Sequence, residues 1–139
     1  MTVFLDACVI IYRIESVAPY HERFDTLIRR LTAAGHGSSF AVSRLSLLEC
    51  RTKPLREDNA GLLARYDGFF ASPGLSIVEI TPAIIDLATQ LRARFRLRTP
   101  DALQAASCLT LGPGIPFVTA DRAFEKLTGL DVRVVSVES

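Results

Sequence analysis

The chain has 139 residues, 49% of them hydrophobic, which is the size and composition of one compact domain with a substantial core. A net charge of +1 with 22% charged residues excludes neither a nucleic-acid nor a small-molecule ligand, because the placement of Arg and Lys decides phosphate binding. No apolar run reaches the roughly 18 residues of a membrane helix, which excludes a membrane-spanning protein of that kind.

Three cysteines, Cys8, Cys50 and Cys108, lack CxxC spacing and argue against a disulfide framework or a zinc knuckle. The N-terminal residues have no basic run ahead of the apolar segment, and Asp6 interrupts that segment early, so a signal peptide is not expected. A reducing, cytoplasmic setting fits these features.

The β-branched and aromatic residues of "TVFL", residues 2–5, predict a buried strand, and "CVIIYRIE" then turns helical. Phe24, Leu27, Ile28 and Leu31 follow an i, i+3, i+4, i+7 pattern that predicts a second helix, stopped by the glycines of "AAGHG". Residues 38–43 read as the next strand. "RLSLLECRTK" follows as a short helix, with Ser43 as its cap and Pro54 as its end. "REDNAGLLARYDGFF" is expected to be helical, and after "PG" the segment "LSIVEI" reads as a strand covered on both faces.

Thr81 and Pro82 form a cap and first-position pair for a helix whose stripe is Ile84, Leu87, Ala88, Leu91 and Phe95. The same pair recurs at Thr99 and Pro100, opening a helix "DALQAASCLTL" that Gly112 closes. "IPFVTA" and "VRVVSV" are predicted strands around a helical "RAFEKLTG". Strands alternating with helices predict a three-layer α/β/α domain over residues 1–139 with a central, mostly parallel sheet.

In such a fold ligands bind beyond the carboxyl ends of the strands. Asp6 and Asp121 follow predicted strands directly, Glu49 lies one to two turns into a following helix, and Asp101 sits in a first helical turn. Each has an ordinary structural alternative: a favourable helix-dipole position for Asp101, an N-cap for Asp121, a solvated helix position for Glu49. Asp6, ending a buried strand, has the least obvious one.

Four gathered carboxylates repel at about 4 kcal/mol for a pair about 4 Å apart at an effective dielectric of 20, so a positive partner is needed. Arginine can serve. An oxygen-only set without His or Cys also suits Mg²⁺, or Mn²⁺, better than zinc. An Asp-x-Asp phosphohydrolase is disfavoured because Cys8 takes the second acid position, and no glycine-rich phosphate loop is present.

"FLDACVIIY", "SRLSLLEC", "RTPDALQAA" and "FVTADRAF" resemble, in order and spacing, the four acidic motifs of the PIN-domain ribonucleases, and among these the small VapC-like toxins of type II toxin–antitoxin pairs. The resemblance implies an acidic cluster of Asp6, Glu49, Asp101 and Asp121, with Asp6 and Asp101 as metal ligands and Thr119 as a hydroxyl partner. It further implies Mg²⁺-dependent hydrolysis of RNA phosphodiesters, a homodimer and a cognate antitoxin. Cys8 departs from the Asn or Ser common at its position.

Basic residues must guide the RNA phosphates to so acidic a site. "RARFRLR" supplies Arg92, Arg94, Arg96 and Arg98, which serve equally well as a basic helix end complementing its dipole. Arg44 and Arg122, beside the acidic motifs, are the chosen substrate-binding candidates. Two competing readings remain: a PIN-like module that binds RNA or protein without cleavage, and a metal-dependent phosphohydrolase of small molecules.

Overall fold

The computed structural model describes residues 1–136. The elements are β1 (Thr2–Leu5), α1 (Ala7–Ile14), α2 (Tyr20–Ala33), β2 (Ser39–Ser43), α3 (Arg44–Arg56) and α4 (Ala60–Phe70). They continue with β3 (Leu75–Val78), α5 (Pro82–Phe95), α6 (Thr99–Leu109), β4 (Pro116–Thr119), a 3-10 turn (Arg122–Lys126) and β5 (Asp131–Val134). The strands form one sheet in the order β3-β2-β1-β4-β5, and each of these pairings is parallel.

Residues 3–5 of β1 alternate between two cores, which explains why they are all apolar. Val3 and Leu5 pack with Val9, Ile10, Phe24 and Tyr66 beneath α1, α2 and α4. Phe4 faces the opposite layer, with Ile84, Leu91, Ala105 and Phe124 from α5, α6 and the 3-10 turn, and stacks on Phe117 at 5.5 Å. The expected α/β/α layering is thus observed.

The chain steps outward from β1 through β2 to β3, then returns to place β4 on the other side of β1. Loops leaving β1 and β4 therefore part at a topological switch point, the usual position of a ligand cleft in a parallel sheet. Asp6 and Thr119 stand there.

Local capping agrees with the sequence at Ser43, whose hydroxyl accepts from the Leu45 N–H at 3.1 Å, and at Thr81, which accepts from the Ile84 N–H at 3.2 Å. Three details differ. Pro54 lies inside α3, not at its end. It forfeits one helical hydrogen bond so close to the terminus that the last turn still closes, through Glu57 N–H to Lys53 O at 3.0 Å and Asn59 N–H to Pro54 O at 2.8 Å.

The N-cap of α6 is Arg98 instead of Thr99, and the Thr99 hydroxyl accepts from Arg92 Nε at 3.1 Å. "RAFEKLTG" forms a five-residue 3-10 turn, too short to gain from α-helical cooperativity. The last predicted strand ends at Val134, and its predicted final residue, Val137, lies outside the described residues.

Candidate active site

Asp6 extends β1 by one step, donating its N–H to Val118 O of β4 at 3.0 Å, and then caps α1. Its Oδ1 accepts from the Ala7 N–H at 2.8 Å. Its Oδ2 accepts from the Thr119 hydroxyl at 2.8 Å and from the Cys8 thiol at 3.3 Å. An acid ending a buried strand thus does have a structural job, capping the next helix, which its position in the sequence did not reveal.

The job does not offset its burial. Asp6 is 7% exposed, and burial first of all lifts its carboxyl from 3.8 to about 6, against the two side-chain hydrogen bonds that lower it. The negative charges of Glu49 and Asp101 push in the same direction as burial.

Thr119 and Cys8 make a shared bracket. Besides donating to Asp6, Thr119 Oγ1 accepts from the Asp121 N–H at 3.1 Å, which ties the ends of β1 and β4 together. Cys8 Sγ accepts from the Ala120 N–H at 3.4 Å. Burial, then the Asp6 charge, pushes the Cys8 thiol up to about 12, so it stays protonated and able to donate. The thiol stands in for the expected amide or hydroxyl, with a longer, weaker bond.

Thr119→Val removes the strongest donor to Oδ2 and is expected to raise the Asp6 carboxyl further above about 6. Carbon-13 titration of the carboxyl resonance measures this, and an unchanged midpoint would sink the bracket.

Glu49 and Asp101 arrive on α3 and α6. Between them stands Gln104, 1% exposed, which sequence reasoning missed. Its Nε2 donates to Ser46 Oγ and to Glu49 Oε1, both at 3.0 Å, joining the two helices beneath the acids. The available signal was a lone amide in the apolar run "DALQAASCL", one turn after Asp101. Burial raises the Glu49 carboxyl, opposed by the Gln104 hydrogen bond and reinforced by Asp101.

Asp121 takes the N-cap role, its Oδ1 accepting from the Ala123 N–H at 2.8 Å. Asp121 and Asp6 both contribute to raising Tyr12, after burial.

Of the arginines, Arg98 reaches the acids. Its Nε donates to Asp101 Oδ2 at 3.1 Å. That bond, then the charge of Asp101 and more weakly those of Asp121 and Glu49, raises its own proton affinity. Arg44 instead forms a two-point pair with Glu79 beyond β3. Arg122 donates to Glu125 Oε1 at 3.1 Å and to Ser136 Oγ at 3.3 Å. Both sequence candidates therefore hold partners outside the four acids.

Among the described residues, no three His, Cys, Asp or Glu side chains stand together as a ready-made metal cage. Asp6, Glu49 and Asp101 are near enough to act on one another's charge yet are not pre-assembled. Such a donor set fits Mg²⁺, which keeps several of its waters and is usually bound through one or two carboxylates. Among the described residues no helix is long and apolar enough to cross a membrane.

Comparison with curated protein sequences gives no significant match. Solved structures match along nearly the whole chain. VapBC2 from Rickettsia felis, bound to a promoter DNA fragment, aligns with a TM-score of 0.74 at 17% identity, covering 96% of this chain and 98% of that one. Mycobacterium tuberculosis VapC20, described as a sarcin-ricin-loop-cleaving toxin, gives 0.73 at 18% identity over 94% and 98%. A Klebsiella pneumoniae toxin–antitoxin complex gives 0.72 at 17% identity over 96% and 98%.

At such identities these likenesses establish a common fold. The family model of the PIN domain matches residues 3–130, a span that includes Asp6, Glu49, Asp101 and Asp121. The order of strands, the acids at the switch point and this match agree, and the chain belongs to the PIN-domain family.

Proposed function

We propose that this protein is a Mg²⁺-dependent endoribonuclease acting as the toxin of a toxin–antitoxin pair, its whole chain serving as one nuclease domain. The observation that carries the reading is Asp6: a carboxylate held at the carboxyl end of the central strand, facing the charges of Glu49 and Asp101 at a cost in protonation. A fold without use for that arrangement gains nothing by keeping it. The similarity to VapC20, a sarcin-ricin-loop-cleaving toxin, and to a Klebsiella pneumoniae toxin–antitoxin complex supports this reading.

Asp6 and Asp101 would hold the cation, with Mn²⁺ as an alternative to Mg²⁺. When bound, a divalent cation lowers the pKa of water and neutralises charge that builds on phosphate during in-line displacement.

The chain's own residues supply the rest. Thr119 and Cys8 fix the Asp6 carboxylate by their hydrogen bonds, so its orientation costs little when the cation arrives. Gln104 fixes Glu49 in the same way. Glu49 and Asp121 would orient water or accept a proton at their carboxylate oxygens, and the Thr119 hydroxyl, donating to Asp6 and accepting from the Asp121 N–H, links the two acids. A homodimer and an antitoxin covering the acids complete the proposal.

Purified protein is expected to cut structured RNA with an activity that rises with Mg²⁺ and disappears in EDTA, while leaving a small phosphate ester unchanged. Turnover of the ester with RNA left whole would replace this reading by a small-molecule phosphohydrolase. RNA retention without cleavage would favour a binding module.

A further inference from the structure

Arg98 occupies the N-cap position of α6, but its side chain makes no capping bond. The guanidinium instead lies against Asp101, through one Nε contact to Oδ2 at 3.1 Å. The two partners differ in how firmly they are held: the Asp101 side chain is 15% exposed, that of Arg98 78%. Among the described residues no hydrogen bond engages the two Nη groups of Arg98, so most of its fork remains available. An exposed, single-contact arginine is easily exchanged.

Its charge nevertheless matters to the cleft, because it sits on the Asp101 carboxylate itself. A cation that binds Asp101 must contend with this resident positive charge for the same carboxylate. Once displaced, a guanidinium three residues before Asp101 can take a non-bridging phosphate oxygen through its Nη donors.

We propose that Arg98 is an exchangeable counter-ion of the acidic cleft: it neutralises Asp101 in the cation-free protein, yields that carboxylate to a divalent cation, and then binds the RNA phosphodiester. The second half rests on the nuclease reading; the first does not. The exchange leaves Asp101 neutralised in the empty cleft and links cation binding to substrate binding through one side chain.

Calorimetric titration of the full chain with Mn²⁺ tests the first half. Arg98→Gln is expected to bind Mn²⁺ about five- to tenfold more tightly than wild type, and Arg98→Lys close to wild type, because the competing charge is removed in one and kept in the other. Equal or weaker binding by Arg98→Gln overturns the exchange. Circular dichroism confirms the fold of both variants, and the native side chain makes no capping bond whose loss would unfold the helix.

Fluorescence anisotropy with a short single-stranded RNA carrying phosphorothioate linkages tests the second half. Arg98→Gln is expected to weaken RNA binding about tenfold in Mn²⁺ and little without it, since the native arginine is otherwise held by Asp101. A loss independent of Mn²⁺, or no loss, overturns the phosphate role. Absence of cleavage by the wild type would count against the nuclease reading alone, since neither titration requires turnover.

Discussion

Asp6→Asn and Asp101→Asn are each expected to lower Mg²⁺-dependent RNA cleavage by about 10³-fold or more, with the fold intact. The magnitude follows from the several kcal/mol by which a correctly held divalent cation stabilises charge in phosphoryl displacement, at about 1.4 kcal/mol for each factor of ten. An amide of the same shape keeps one oxygen but loses the charge that holds the cation. At Asp6 the isosteric change still permits the bond from the Ala7 N–H, and the new amide N–H can donate to Thr119 Oγ1, so the cap of α1 survives. At Asp101 it removes the ionic part of the contact with Arg98 on an exposed helix end.

Cleavage is measured on one structured RNA over a range of Mg²⁺ concentrations, alongside circular dichroism. Full activity of either variant would remove the two-carboxylate cation site. A loss that saturating Mg²⁺ recovers would mean that the acid contributes only to affinity.

The two halves of this site were not equally legible in the sequence. Local chemistry announces itself within a few residues: Thr81 followed by Pro82 starts α5, Ser43 starts α3, and the apolar run of residues 3–5 reports a buried strand. Asp6, Asp101 and Asp121 could be placed because each follows a strand or opens a helix, Glu49 because it lies within two turns of the start of α3, and a parallel sheet sends those ends to one edge. What joins them was legible only in part. The resemblance implied a hydroxyl partner at Thr119, which reaches Asp6 across 113 positions, but nothing pointed to Gln104, which reaches Glu49 across 55, a distance over which spacing carries no register.

Charge was equally ambiguous. Arg44 and Arg98 both stand near an acidic motif in sequence, yet β3 brings Glu79 to Arg44, whereas the turn into α6 leaves Arg98 beside Asp101. Pro54 was misread for a related reason: a proline's effect depends on how many hydrogen bonds remain beyond it, and α3 has only Leu55 and Arg56 left to order.

The same buried acid to which we assign the activity is expected to weaken the cation-free protein, and this gives a second large effect of opposite sign. Asp6→Asn is expected to raise the thermal midpoint at pH 7.5 in EDTA. In the folded chain the Asp6 carboxyl is lifted from 3.8 to about 6. Below 3.8 the group is protonated in both states and contributes nothing. Between 3.8 and about 6 the unfolded chain ionises while the folded one holds its proton, so stability falls as pH rises. Above about 6 both states are ionised and the full penalty remains.

That gap corresponds to about 3 kcal/mol, with little solvent screening to reduce it because the carboxyl is buried. For a chain of this length it amounts to about 10 °C. At pH 4 the advantage of Asn should nearly vanish. Mg²⁺ or Mn²⁺ should then return stability to the wild type at pH 7.5 and leave Asp6→Asn almost unmoved, since a ligand stabilises only the state that binds it. Scanning calorimetry of both proteins at the two pH values, with and without cation, measures the four differences. A wild type more stable than Asp6→Asn at pH 7.5 in EDTA would show that the hydrogen bonds from Thr119 and Cys8 outweigh burial, and that the cleft is at rest with Asp6 charged. In the predicted order, the loss of activity and the gain of stability in Asp6→Asn both follow from one carboxylate.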